Sequence, residues 1–299
     1  MMTWKLWRAL QAPSARHPLF TRIANQNALP IQRYLGSMWP AGITGLLILF
    51  ALGVWYSPQA IMPTLFNPSF ALIVGLVLFT GTVYGLVWAV SIATMITRLR
   101  GEGKYDLLCL SPLSPFGINW TICTGFLHRN QLLTRITTQR TRAAQIALVL
   151  PGAFIMPLLI STVTNNTDFT AALLVTTLHI CAITSAFQLD HIQSTVVGSL
   201  IGIHAPLHTL TALDARLLAG VGFLTLQLIS YLLSAYIGFV LLPQLYLGLS
   251  INGVLMELTM PVLQLAVFYL SREVVILLLW QGLVRQLTAS PAELELLTL

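Results

Sequence analysis

Charged residues are so sparse in this chain that the few candidates for chemistry stand out. The stretch RLRGEGKYDLLCLSPLSPFG, residues 98–117, follows a run that holds no charged residue between Arg33 and Arg98. It places Glu102 and Asp106 beside leucines and two prolines. Acids next to leucines suit protein docking, because apolar anchors supply affinity and charges fix the register. An ordinary solvated loop that only sets membrane orientation is the alternative.

Histidines are the candidates for metal or cofactor ligation. His179 lies in the middle of the apolar stretch VTTLHICAITSAF, where an imidazole could hold the metal of a haem or a chlorophyll. A neutral histidine that is hydrogen-bonded to a neighbouring helix is the simpler interpretation. His204 and His208 have the spacing of ligands on one helix face, with Asp214 nearby, but Pro206 between them argues against a continuous helix. No metal site is therefore predicted.

Carboxylates inside apolar segments are functional candidates by default. Glu257 is the only acid that the sequence places well inside a predicted membrane span, within the first turns of its helix, where solvation explains it equally well. Asp190 and His191 are predicted at the inner end of a span, where charge is tolerated. The sequence shows no paired carboxylates and no nucleophile beside a base, so we do not expect an enzyme.

Composition assigns the chain to the membrane proteins. Of 299 residues, 56% are hydrophobic and 8% are charged, with a mean hydropathy of +0.82, whereas soluble domains have about 25% charged residues. Three cysteines are too few for a disulfide framework. We therefore predict an all-α, polytopic membrane protein with six transmembrane helices and additional interfacial, amphipathic helices.

Uncharged runs mark the six predicted spans. They cover residues 40–56, 70–96, 144–163, 169–189 and 217–242, followed by a last span at either 251–270 or 261–284. We favour 251–270 followed by an amphipathic helix. Arg272 and Glu273 are adjacent, so they cannot face each other on one helix and could not pair within a buried span.

Basic residues set the predicted orientation. Most of the 15 lysines and arginines lie before the first span or between residues 98 and 142, which predicts both segments and both termini inside. The net charge of +6 reflects this orientation, and no nucleic-acid motif accompanies it. The predicted organisation has five parts: a basic N-terminal segment (1–38), two spans (39–97), a cytoplasmic docking-like segment (98–142), four spans (143–285) and a tail (286–299). Within the third part, INWTICTGFLHRNQLLTRITTQR is predicted to be amphipathic, with Trp120 at the headgroup level.

The run EGKYDLLCLSPLS resembles a motif of the membrane subunits of type-2 ABC exporters, written E-x-G-T-x-E-x-L-L-x-x-P-L-S. The matching positions are Glu102, Gly103, Asp106, Leu107, Leu108, Pro112, Leu113 and Ser114, while Lys104 and Tyr105 depart from the family's small residue. The resemblance implies that this cytoplasmic segment docks into a separate ATPase subunit. The implied docking residues are Glu102, Asp106, Leu107, Leu108, Pro112 and Leu113. The resemblance also implies a homodimer with the substrate path between its two subunits.

Two functions are therefore predicted as alternatives. The first is a permease-like subunit in a bacterial inner membrane, in contact with membrane lipids, which moves a lipid-like substrate with ATP hydrolysed by another chain. This chain has no phosphate-binding loop and no clear cofactor motif. The second is a non-transporting six-span accessory subunit of a photosynthetic or respiratory complex, which binds lipid or a tetrapyrrole through His179.

Overall fold

The computed structural model describes residues 1–11, 68–109, 114–129, 167–248 and 253–287, and helices fill nearly all of these ranges. In chain order they are α1 (Met2–Gln11), α2 (Pro68–Gly101), α3 (Lys104–Cys109), α4 (Pro115–Arg129), α5 (Thr167–His204), a 3₁₀ turn (Ala205–Leu207), α6 (Ala212–Ala235), a π turn (Tyr236–Leu241), α7 (Leu242–Gly248) and α8 (Gly253–Gln286). The predicted helical class is confirmed for these residues. The predicted spans at 40–56 and 144–163 lie outside them.

Three stretches of the described residues are long and apolar enough to cross a membrane. They are Gly81–Gly101 in α2, Ala212–Gly248 from α6 to α7, and Leu258–Gln286 in α8. Helix α2 extends beyond the predicted span at 70–96 and ends at Gly101. The total of six spans and the inside position of both termini stay predictions.

The four long helices form one bundle in which α5 packs along both α2 and α8, and α6 packs along α2. Glycine permits the closest approach between α2 and α5. A Cβ atom on Gly198 would lie 2.5 Å from the carbonyl oxygen of Gly85, which is shorter than any normal contact. The missing side chains therefore let the two backbones touch, as is common where membrane helices pack.

The short helices α1 and α4 pack against one end of this bundle. The Phe116 ring lies 5.5 Å from the Trp280 ring, and the Phe126 ring lies 5.5 Å from the Trp88 ring. Trp120, which was predicted to face lipid headgroups, is 6% exposed and packs on Trp280. Helix α4 is therefore a buried component of the bundle rather than a surface amphipathic helix.

A proline explains the π turn between α6 and α7. Pro243 has no backbone N–H, and its ring collides with the preceding turn of a regular helix, so the chain widens there. Gln264 of α8 donates from Nε2 to the Gly238 carbonyl at 3.2 Å. A neighbouring helix thus binds a carbonyl within the widened turn.

The last helix differs from the placement that we favoured. A single helix runs from Gly253 to Gln286, so no separate amphipathic helix begins after residue 270. Arg272 and Glu273 lie inside this helix and are 1% and 7% exposed. The premise that they would have to pair with each other was wrong, because each pairs with a different helix.

Matched glycine substitutions test the close packing of α2 on α5. Gly198→Ala should lower the free energy of unfolding by about 1–3 kcal/mol, because the new methyl group collides with the backbone of α2. Gly222→Ala is the control, since a Cβ atom there meets no atom within 4 Å. Denaturant titration of both variants in detergent measures the difference, and equal stability would contradict the packing.

Candidate functional site

The first candidate site is the segment 102–109, called here the tip, which follows the end of α2. Gly103 has a φ of +66°, a left-handed conformation that favours glycine, so α2 ends and α3 starts in a new direction. The Glu102 carboxylate accepts hydrogen bonds from Lys104 at 2.5 Å and from Arg98 at 2.8 Å. These bonds, chiefly the one from Lys104, hold the pKa of Glu102 below its usual value.

Arg100 fastens the tip to the bundle. Its guanidinium lies 4.7 Å from the centre of the Tyr105 ring, and its Nη1 donates to the Pro206 carbonyl at 2.5 Å. Tyr105 is 7% exposed, so it is the inward anchor of α3. The departure from the exporter motif at Tyr105 therefore supplies a packing contact, and one arginine joins α3 to the connection between α5 and α6.

The outer side of the tip presents part of the predicted docking set. Asp106 is exposed, and Leu107 is 68% exposed. Leu108 instead packs partly against the core. Pro112 and Leu113 lie outside the described residues. The structure thus presents Glu102, Asp106 and Leu107 together and turns Leu108 inward.

The second candidate site is a buried ion pair that joins α5 to α8. Arg272 Nη1 and Asp190 Oδ1 are 2.5 Å apart, and both side chains are 1% exposed. Asp190 was predicted at the end of a span, but α5 continues beyond it to His204. A charge at this depth is costly unless it is paired and hydrogen-bonded, so both requirements must be met by neighbouring side chains.

Hydrogen bonds from four helices meet most of these requirements, although Arg272 Nε has no partner among the described residues. Arg272 Nη2 donates to the Ser194 hydroxyl at 2.7 Å and to the side-chain oxygen of Gln227, Oε1, at 2.8 Å. The Tyr231 hydroxyl donates to Asp190 Oδ1 at 2.5 Å. Gln227 Nε2 donates in turn to a threonine of α2 at 3.0 Å. We call these side chains the buried network: Thr82, Asp190, Ser194, Gln227, Tyr231 and Arg272.

A glycine makes room for the acid of this network. A Cβ atom on Gly81 would lie 1.9 Å from Asp190 Oδ2. That oxygen is buried and has no hydrogen-bond partner among the described residues. The carboxylate is therefore held by Oδ1 alone and packs directly against the backbone of α2, which ties the position of α2 to the ion pair.

The residue after Arg272 binds a different helix. The Glu273 carboxylate accepts hydrogen bonds from the backbone N–H groups of Met2 and Thr3, the latter at 3.3 Å, and from the Thr3 hydroxyl. The Tyr269 hydroxyl donates to it at 3.1 Å. The first N–H groups of a helix lack partners within it and carry partial positive charge. Glu273 thus caps α1 and fixes it on the bundle.

The remaining predicted ligands lie apart from both sites. His179 Nδ1 is 2.8 Å from the Val175 carbonyl oxygen of its own helix, and among the described residues it has no bond to a neighbouring helix of the kind that the simpler interpretation predicts. Since a carbonyl only accepts, Nδ1 carries the proton and Nε2 keeps its lone pair. Glu257 belongs to α8, but its side chain is outside what the structure describes.

The two histidines beside Pro206 come together despite the proline. A 3₁₀ turn replaces the continuous helix and places the rings of His204 and His208 4.8 Å apart. Burial, followed by the neighbouring His208, lowers the pKa of His204. Asp214 bonds to Thr211 instead. Within the described ranges no three His, Cys, Asp or Glu side chains are placed to hold a metal ion.

Sequence reasoning missed the buried network, although a signal was present. Asp190 and Arg272 are charges at the edges of long apolar runs, and intramembrane charges of opposite sign are expected to pair. The sequence prediction instead places Asp190 at the inner end of a span and Arg272 in an amphipathic helix after residue 270. Comparison with known proteins supplies no further guide: no family model, curated protein or solved structure matches this chain.

The buried ion pair makes a quantitative prediction. Arg272→Met leaves the Asp190 carboxylate buried without its partner and should lower the free energy of unfolding by roughly 3–5 kcal/mol. The double variant Asp190→Asn, Arg272→Met should recover part of that loss, because no charge remains buried. Denaturant titration in detergent measures all three proteins. Arg98→Met serves as the control, since its ion pair is exposed; equal losses at Arg272 and Arg98 would rule out the proposed stabilisation.

Proposed function

We propose that this chain is a permease-like membrane subunit of an ABC-type exporter, driven by a separate subunit that hydrolyses ATP. The observation that carries the proposal is the exposure of Leu107 and Asp106 at the tip. Both residues lie on a short helix, α3, that is attached to long apolar helices. A membrane subunit without a phosphate-binding loop needs such a contact to receive work from a soluble motor. Leu107 supplies the apolar anchor, and Asp106 fixes the register.

The connection of the tip to the bundle gives this contact a mechanical consequence. A displacement of α3 acts on Arg100 through the Tyr105 ring, and Arg100 acts on the Pro206 carbonyl. The same push reaches α2 directly, because α3 follows it in sequence. Both connections lead to helices that meet at the buried network. A displacement of α3 is therefore transmitted to several helices of the bundle together.

The substrate that fits this bundle is lipid-like or amphipathic. Large apolar side chains cover the outward face of α6 and its continuation, for example Leu217, Leu232 and Phe239, which are 59%, 62% and 70% exposed. Such an apolar surface suits contact with acyl chains. The basic segments favour a bacterial inner membrane with the tip on the cytoplasmic side.

Charge reversal at the tip tests the proposal. Asp106→Arg and Leu107→Asp should each reduce recovery of a P-loop ATPase with the tagged chain by at least tenfold, since loss of one buried leucine alone removes roughly 1.5–3 kcal/mol. Quantitative mass spectrometry of complexes purified from native membranes measures the recovery. Lys5→Glu is the matched control, because it reverses another exposed charge, on α1. Unchanged recovery in both tip variants would leave the segment as a loop that sets orientation.

A second candidate function has one observation in its favour. The hydrogen bond from His179 Nδ1 to its own helix fixes the ring and leaves Nε2 as the nitrogen that can bind a metal, as in many histidine-ligated sites. This arrangement suits the accessory subunit of a pigment-bearing complex, in which His179 ligates a tetrapyrrole.

An absorption spectrum separates this second function from the first. In the exporter, the purified protein has no visible band, and His179→Leu changes nothing. In the pigment-bearing subunit, wild type shows a visible band that His179→Leu removes while the chain still assembles. His208→Leu is the control, because that histidine is exposed near the tip. A band that survives His179→Leu but disappears in His208→Leu would contradict both assignments.

A further inference from the structure

We propose that the π turn between α6 and α7 is a hinge, at which α7 and the first turns of α8 move together relative to the rest of the bundle, and that Gln264 is the latch that keeps the hinge closed. The moving unit, called here the flap, comprises Leu242–Gly248 of α7 and residues 253–260 of α8. The inference goes beyond the proposed function and does not rest on it, because it concerns this chain alone.

The hinge contains a carbonyl whose backbone donor is missing. In a π turn each backbone N–H bonds to the carbonyl five residues earlier, as that of Leu242 does to Ile237. The next bond in this register would join the N–H of residue 243 to the carbonyl of Gly238. Residue 243 is a proline and has no N–H. The backbone therefore cannot close the helix by itself at this point.

Gln264 of α8 supplies the donor instead. Its Nε2 donates to the Gly238 carbonyl at 3.2 Å, the same carbonyl that Pro243 leaves without its backbone bond. A carbonyl without a donor is costly among apolar side chains, where no water replaces the bond, so this contact favours the closed arrangement. Because the donor is one side chain of a neighbouring helix, the bond can break while both helices stay folded. These are the properties of a latch.

A second proline gives the flap its other boundary. Pro261 lies inside α8 and removes one backbone hydrogen bond from that helix. On the flap side of both prolines, the hydroxyls of Tyr246 and Thr259 are joined by a hydrogen bond of 2.8 Å. On the other side, the hydroxyls of Ser234 and Ser271 lie 2.5 Å apart. Helices α7 and α8 are thus tied to each other within the flap, and α6 and α8 are tied below it, so the two weakened points lie between the two ties.

The outer surface of the flap is suited to motion in lipid. Leu245 and Leu247 are 51% and 74% exposed, and apolar side chains of this kind exchange one set of acyl-chain contacts for another as they move. The Tyr246 hydroxyl keeps its partner, since Thr259 moves with it. The polar contact that opening breaks is accordingly the one at Gln264.

Pulsed EPR distances in the full chain test the hinge, after replacement of its three cysteines and purification into lipid nanodiscs. Spin labels on Leu232→Cys and Leu247→Cys bracket the π turn, and labels on Leu217→Cys and Leu232→Cys form a control pair below it; all three leucines are exposed. Each pair spans 15 residues, or about 22 Å along a regular helix. Gln264→Leu should at least double the width of the 232–247 distance distribution and leave that of the control pair unchanged.

A second variant tests why the latch is needed. Pro243→Ala, added to Gln264→Leu, provides a backbone N–H that can close the helix in place of the amide, so the 232–247 distribution should return to its wild-type width. An unchanged width in Gln264→Leu, or equal broadening of both pairs, would overturn the hinge. A width that Pro243→Ala does not restore would refute the role of the missing donor. Each measurement uses this chain without an ATPase subunit, so its failure leaves the proposed function standing.

Discussion

Arg272 is the residue on which the described bundle depends, because a guanidinium cannot be buried among apolar helices without a counter-charge. Asp190 supplies that charge and accepts from Nη1 at 2.5 Å, while Ser194 of α5 and Gln227 of α6 accept from Nη2. Desolvation of such a pair costs several kcal/mol per ion. The ion pair therefore contributes little net stability, but it requires one particular arrangement of the four helices. The rotation of α8 about its axis is thereby fixed, and α5, α6 and α2 must come close enough to complete the hydrogen bonds.

That fixed rotation has consequences at both sides of α8. Glu273, the next residue, points in another direction and caps the first turn of α1, whose Leu6 and Leu10 are buried in the core. Gly81 and Gly85 let α2 approach α5 closely enough to pack on Asp190 and on the backbone of the facing helix. At the end of α2, Arg100 contacts the Tyr105 ring of the tip and the Pro206 carbonyl. Leu107 is thus presented by a short helix that is attached to the bundle.

The sequence alone predicts the helical class and the apolar segments, because these depend on composition and on hydrophobic length. It also identifies Asp106 and Leu107 as surface candidates. It does not predict the pairing of Asp190 with Arg272, since that contact joins residues 82 positions apart and depends on how two helices are rotated. For the same reason Trp120 was assigned to a headgroup region, although its hydrophobic face meets Trp280. The resemblance to an exporter motif also could not indicate that Tyr105 turns inward to meet Arg100.

Purification of the unmodified, tagged chain from native membranes in a mild detergent, followed by native mass spectrometry, tests the central claim most directly. The account predicts an assembly that contains this chain and a soluble subunit with a P-loop, and addition of a non-hydrolysable ATP analogue should increase the mass of that assembly by the bound nucleotide. An assembly that contains pigment-bearing subunits and no P-loop chain would contradict the account.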